Sequence, residues 1–153
     1  MEKKYANRII EYFLPYYPNN ERKFSEIVFK ALMQRKSYLE ISELIKNIPN
    51  SISLSPIIIA STLLKSYGRY WLFEESKKAN VLYFRYAGII RQFNNKILSR
   101  SFCTKLLNAS QEGIRWHINE INNMKNGQLE PVILFCGGWN CHHDWEPDPF
   151  YRR

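Results

Sequence analysis

The chain reads as an α+β protein, helical through an N-terminal region of residues 1–78 and completed over residues 79–153 by a small β-sheet with an inserted helix. Three observations predict this. Apolar residues in the first half recur at spacings of three and four, as one face of a helix requires. After Lys77-Lys78 the pattern changes to Val81-Leu82-Tyr83-Phe84-Arg85-Tyr86-Ala87, a β-branched and aromatic run suited to a half-buried strand. The last stretch, Phe135-Cys136-Gly137-Gly138-Trp139-Asn140-Cys141-His142-His143-Asp144-Trp145-Glu146-Pro147, gathers two of the three cysteines and two of the three histidines around a Gly-Gly pair. Glycines permit a sharp turn, cysteine and histidine offer metal or hydrogen-bonding chemistry, and the tryptophans can bury the turn.

The elements follow in order. Ile9, Ile10, Tyr12, Phe13 and Leu14 predict a leading helix over 3–14, stopped by Pro15 and Pro18. Phe24, Ile27, Val28, Ala31 and Leu32 predict an amphipathic helix from about Glu21 to Arg35, and Leu44, Ile45 and Ile48 continue the pattern from Tyr38 to Pro49. Ser55-Pro56 opens the next helix with an N-cap serine and a proline at the first helical position, where its missing N–H costs nothing. That helix runs to about Glu75 and is apolar around most of its circumference. Strands are expected near 81–88 and 131–136, with Ile89–Leu98 as a partner strand or turn. A helix is expected from Thr104 to Met124, its apolar stripe carrying Ile114, His117, Ile118 and Ile121.

Composition bounds the function. A chain of 153 residues with 45% hydrophobic and 15% aromatic content can bury a core, which excludes a disordered chain. No apolar run approaches bilayer length, and residues 1–17 lack a secretory signal pattern, so the expectation is a protein of the cytoplasm with no membrane partner. Three cysteines then read as thiols or metal ligands, not a disulfide framework. The net charge of +8 suits a phosphate-rich neighbour but is spread along the chain, so a solvated basic surface is the preferred reading.

Tetrahedral zinc takes four nitrogen or sulfur ligands, commonly as two close pairs. Cys103, Cys136, Cys141 and His143 supply four such residues, but only Cys103 lies early, so buried apolar thiols stand as the alternative to a zinc site. His142 and His143 are adjacent and face opposite ways on an extended backbone, so at most one shares the side of Cys141. No phosphate-binding glycine loop, nucleophile elbow or helix-borne metalloprotease pair is present, and no catalytic residue is assigned. Asp144, Glu146 and Asp148 read as a solvated, frayed tail ending at Arg152 and Arg153.

Three segments carry a family likeness. Tyr83-Phe84-Arg85-Tyr86-Ala87-Gly88, Ser99-Arg100-Ser101-Phe102-Cys103 and Gly137-Gly138-Trp139-Asn140-Cys141-His142-His143-Asp144-Trp145-Glu146-Pro147 resemble the C-terminal domain of phage Mu F-like minor head (head morphogenesis) proteins. Trp116 and Asn126-Gly127-Gln128-Leu129 fit between them, and the likeness spans about residues 81–147. The motif positions carried over are Cys103, Asn140, Cys141 and His143, with Arg100, Gly137, Gly138, Trp139, Trp145 and Pro147 beside them. Two positions depart: His142 stands where the family has arginine, and acidic residues from Asp144 replace a neutral ending. The resemblance implies a virion protein present in few copies at or near the portal vertex, acting in capsid assembly or DNA packaging. It further implies portal or capsid proteins as partners, contact with genomic DNA, copies arranged in a ring or at a vertex, and location in the virion and, during assembly, the host cytoplasm. Zinc-stabilised binding of nucleic acid is the alternative function.

Overall fold

A computed structural model describes residues 3–152 and has the predicted α+β class. The chain divides into two compact units, one ending at Tyr70 and one beginning at Trp71. The boundary lies inside a long helix, earlier than the change of composition after Lys78 suggests.

The first unit is built of helices. Helix α1 (Lys3–Phe13) buries Tyr5, Ala6, Ile9, Ile10 and Phe13, and a 3₁₀ turn at Leu14–Tyr16 follows at Pro15. Helix α2 (Glu21–Met33) buries Phe24, Val28, Ala31 and Leu32, and the Tyr17 ring stacks on Phe24 at a centroid separation of 3.9 Å. Burying a side chain such as Phe24 stabilises the fold by about 1.5–3 kcal/mol. Helix α3 (Tyr38–Ile45) starts at a capping box. The Ser37 backbone N–H donates to Glu40 Oε2 at 2.8 Å, and the Glu40 N–H donates to Ser37 Oγ at 3.3 Å. Helix α4 (Pro56–Lys78) begins at Pro56 as predicted, with the Ser55 carbonyl accepting from the Ile59 N–H. Its opening turns bury Ile59, Ala60, Leu63 and Tyr67. Thr62 and Ser66 are tolerated among them because their hydroxyls donate to the Ile58 and Leu63 carbonyls.

In the second unit, β1 (Tyr83–Ala87) is the centre of a three-stranded antiparallel sheet, flanked by β4 (Trp116–His117) and β5 (Asp144–Pro147). The alternation along β1 turns Phe84 and Tyr86 into the core and Arg85 outward, where it meets Glu146 of β5 at 2.7 Å. Tyr86 lies opposite Trp145, their rings edge-to-face at 4.7 Å, and Trp116 packs on Trp145 at 5.5 Å. Strands β2 (Gln92–Phe93) and β3 (Lys96–Ile97) form a separate hairpin. Its Asn94-Asn95 tip has both residues at positive φ, the twist that a tight hairpin favours.

Three expectations are corrected. Residues 131–136 are not a strand: Val132–Phe135 form the single-turn helix α7, closed by the Cys136 N–H on the Val132 carbonyl, and all four side chains are buried. A short apolar run surrounded by protein on every side does not reveal its period, and the partner of β1 is the segment 144–147 instead. Residues 104–124 are not one helix. Helix α5 (Ser101–Gln111) ends before Gly113, whose φ of +91° halts it, and β4 and α6 (Ile118–Asn123) follow. His117 therefore leaves the apolar stripe and caps α6, its Nδ1 accepting from the Asn119 N–H at 3.2 Å. The acidic end is not a frayed tail either: Asp148 accepts from Arg115 Nε at 2.7 Å and from the Phe150 and Tyr151 N–H groups.

Candidate metal centre

Three chain segments converge behind the central strand. Cys103 stands on the first turn of α5, which begins at Ser101 with Arg100 as its N-cap. Cys141 arrives from the loop after α7, where Gly138 N–H donates to the Phe135 carbonyl and Cys141 N–H to the Gly138 carbonyl. Two side chains hold that loop in place: Arg100 Nη2 donates to the Trp139 carbonyl at 2.8 Å, and Gln128 Oε1 accepts from the Trp139 N–H at 3.0 Å. Asn126 fixes the segment below it, donating to the Cys136 carbonyl and accepting from the Gln128 and Leu129 N–H groups. His143 enters just before β5.

The result is a buried triad. Cys103 Sγ and Cys141 Sγ are 3.8 Å apart, and Cys141 Sγ is 3.4 Å from His143 Nδ1. The ligand atoms of Cys103, Cys141 and His143 all lie within 4.8 Å of one another. His143 Nε2 is 3.0 Å from the Ile89 carbonyl oxygen, which can only accept. That bond assigns the ring proton to Nε2 and leaves the Nδ1 lone pair directed at the thiols, the tautomer that a metal ligand needs. Tyr86 Oη lies 3.4 Å from Cys103 Sγ and 3.6 Å from Cys141 Sγ, so the strand contributes a hydroxyl beside both sulfurs.

Electrostatics divides the two thiols. The hydrogen bond with Cys103 is the main reason that Cys141 is drawn well below the ordinary thiol range, and the His143 backbone N–H and the Tyr86 hydroxyl add to it. Cys103 moves the other way, as donor in that bond and through burial. Burial likewise raises the Tyr86 hydroxyl. The downward direction at Cys141 favours the thiolate, the form that binds a metal.

Two of the three donor separations suit tetrahedral coordination. Bonds of about 2.3 Å to sulfur and about 2.0–2.1 Å to nitrogen place two sulfurs about 3.8 Å apart and a sulfur and nitrogen about 3.6 Å apart. The observed 3.8 and 3.4 Å fall close to both. The buried group of Cys103, Cys141 and His143 could therefore hold a metal ion. Cys136, the fourth residue the sequence suggested, is buried but does not join this group. Its backbone stands at φ 50° as it ends α7. His142 is exposed while His143 is buried, so the two histidines diverge as expected.

Two glycines are required by the packing. Gly88 has φ +137°, and a Cβ there would meet the His143 ring. A Cβ on Gly137 would strike Cys103 Sγ, with Cys141 Sγ close behind. Among the motif residues, Trp145 donates from Nε1 to the Val132 carbonyl at 3.2 Å, joining β5 to α7, and Pro147 ends β5 opposite Phe84. Asn140 holds a positive φ of 51° just before Cys141.

No family model, curated protein or solved structure gives a significant match to this chain. Among the described residues, no helix is long and apolar enough to cross a membrane. Sequence reasoning missed Tyr86 and the Ile89 carbonyl as parts of the centre. The signal that could have found them is the glycine closing the aromatic strand: the residue that must lack a side chain is the one the histidine packs against.

Proposed function

We propose that the chain is a minor head, or head-morphogenesis, structural protein of the phage Mu F-like kind, working at or near a portal vertex in capsid assembly or DNA packaging. One observation carries the reading. The segments that bear the resemblance are distant in sequence, yet Tyr86, Arg100, Cys103, Trp139, Cys141 and His143 meet around one buried cluster. A motif that is a unit of sequence likeness is here also a unit of packing. In this reading the cluster is a clasp that joins α5, β1 and the C-terminal loop, and it presents the rest of the unit to portal or capsid proteins.

The metal we propose for the clasp is zinc. Cys103, Cys141 and His143 would hold it, and bound zinc would add a cross-link between α5 and the C-terminal loop to the hydrogen bonds that Arg100, Tyr86 and His143 already make there. Quantitative mass spectrometry of purified virions and assembling heads tests the function: the chain is expected in a fixed ratio to the portal protein and far below the major capsid protein. Absence from both particles overturns it.

A second reading is a zinc-stabilised nucleic-acid-binding module, favoured by one feature of charge. Between Glu75 and Glu112 the chain carries Lys77, Lys78, Arg85, Arg91, Lys96, Arg100 and Lys105 and no acidic residue. This run contains the β2–β3 hairpin, with Phe93 and Ile97 exposed at its sides. A steep linear fall of log affinity for duplex or single-stranded DNA with log salt concentration is its signature.

A further inference from the structure

We infer that the metal position formed by Cys103, Cys141 and His143 keeps one coordination place for a small anion drawn from solvent. The inference rests on the zinc reading above and deepens it.

The donor set is the first argument. Zinc in a tetrahedral protein site takes four donors, and a site with three protein ligands completes itself with water or another exchangeable group. Among the described residues, no other Cys, His, Asp or Glu joins the three. Space is the second. A partly open pocket of about 120 Å³ is lined by all three donor residues together with Arg91, Arg100, Asn140 and His142. Water occupies about 30 Å³ in the liquid, so the pocket has room for about four waters or a compact anion, well under the several hundred Å³ that larger ligands need.

Charge is the third. Zinc binding would release the Cys103 proton to solvent, so two thiolates neutralise the ion, the imidazole adds nothing, and an anion in the fourth place leaves the centre at minus one. Arg91 and Arg100 line the same pocket and offset that charge. The Arg100 guanidinium is held there by its bond to the Trp139 carbonyl, and its charge acts on the Cys103 thiol. The step is a ligand exchange: an anion lone pair binds the metal as a water leaves, with no electron transferred. A compact monodentate anion such as azide or thiocyanate fits both the volume and the charge.

The full-length protein loaded with cobalt(II) provides the test, because the visible bands of cobalt report its ligands. Sodium thiocyanate or azide titrated into the cobalt form should change those bands saturably, with isosbestic points. Arg100→Gln should weaken anion binding about tenfold, since hydrogen bonds to charged groups are the stronger class. Arg91→Gln is the second variant, because Arg100 also holds the Trp139 carbonyl and its loss can disturb the loop. Stoichiometric cobalt with thiolate charge-transfer bands that no anion moves would overturn the open position and leave the metal reading intact. Failure to bind cobalt or zinc at all would overturn the metal reading and this inference with it. Anion binding that neither arginine variant alters would overturn the part assigned to the arginines.

Discussion

The unit ending at Tyr70 and the unit beginning at Trp71 reach their buried cores by different routes. In the first, α1, α2 and α3 each turn a stripe of Ile, Leu, Phe, Val and Ala inward at helical spacing, and many side chains share the burden. In the second, regular structure is short. Apart from α5 and the end of α4, it consists of strands of two to five residues and the short helices α6 and α7. What fixes them is a small number of polar or sulfur-bearing groups with particular partners: Asn126, Gln128, Arg100, Tyr86, Cys103, Cys141 and His143. Apolar stripes tolerate substitution as long as volume and pattern persist, whereas a convergent cluster fails when one member is lost. Stability in the first unit is distributed. In the second it is concentrated.

With zinc held in the clasp as proposed, the sharpest break of this comparison is its removal. A ligand bound only by the folded state adds about 4 kcal/mol at a free concentration a thousand times its dissociation constant. Stripping zinc with a chelator, or replacing Cys141 by Ser, should therefore release backbone amides over 83–147 to exchange with solvent while those of α1, α2 and α3 stay protected. Hydrogen exchange read by mass spectrometry on the whole chain separates the two. Equal loss of protection in both regions would show that the concentration of stability in the second unit is wrong.

The converse experiment is somewhat milder. Leu32 is fully buried on α2, and Leu32→Ala should cost about 3 kcal/mol from lost transfer free energy and the cavity left behind. The loss should appear as a lower urea midpoint for unfolding of the helices, with the uptake of added zinc unchanged. A variant that unfolds α2 and also fails to take up added zinc would mean that the two units fail together.

The same contrast explains what could be read from the chain alone. Helices α1, α2 and α4 were visible because periodicity, Pro15 and Ser55-Pro56 mark them locally, and β1 was visible because Tyr83–Ala87 is aromatic, branched and closed by glycine. Element type over 101–124 and 131–136 was not, since Gly113 and the pairing of Trp116 with Phe84 override local helical preference and Val132–Phe135 is too short to show a period. The site divided in the same way. Cys103, Cys141 and His143 stood out by residue type. Their meeting, and the exclusion of Cys136, depend on loop turns and side-chain bonds spanning 38 or more residues, such as Cys103 to Cys141 and His143 to Ile89.

The smallest effect probes a local device in the distributed unit. The Ser37 backbone N–H is the main group drawing the Glu40 carboxyl down from its ordinary 4.5 to about 2, with Lys36 and the Ser37 hydroxyl adding to it. Because the folded value is the lower one, the stabilisation is complete above pH 4.5 and is lost as pH falls from there toward 2. Opening of α3 should accordingly become easier across that window in the native chain. In Glu40→Gln, which keeps a side-chain oxygen for the capping box but cannot titrate, that part of the acid response should vanish. The measurement is the free energy of local opening at the Ile41 and Ser42 amides as a function of pH, corrected for intrinsic exchange. Identical acid responses in the two chains would show that the box contributes through geometry alone, and the protection of the Cys141 amide should be the same in both.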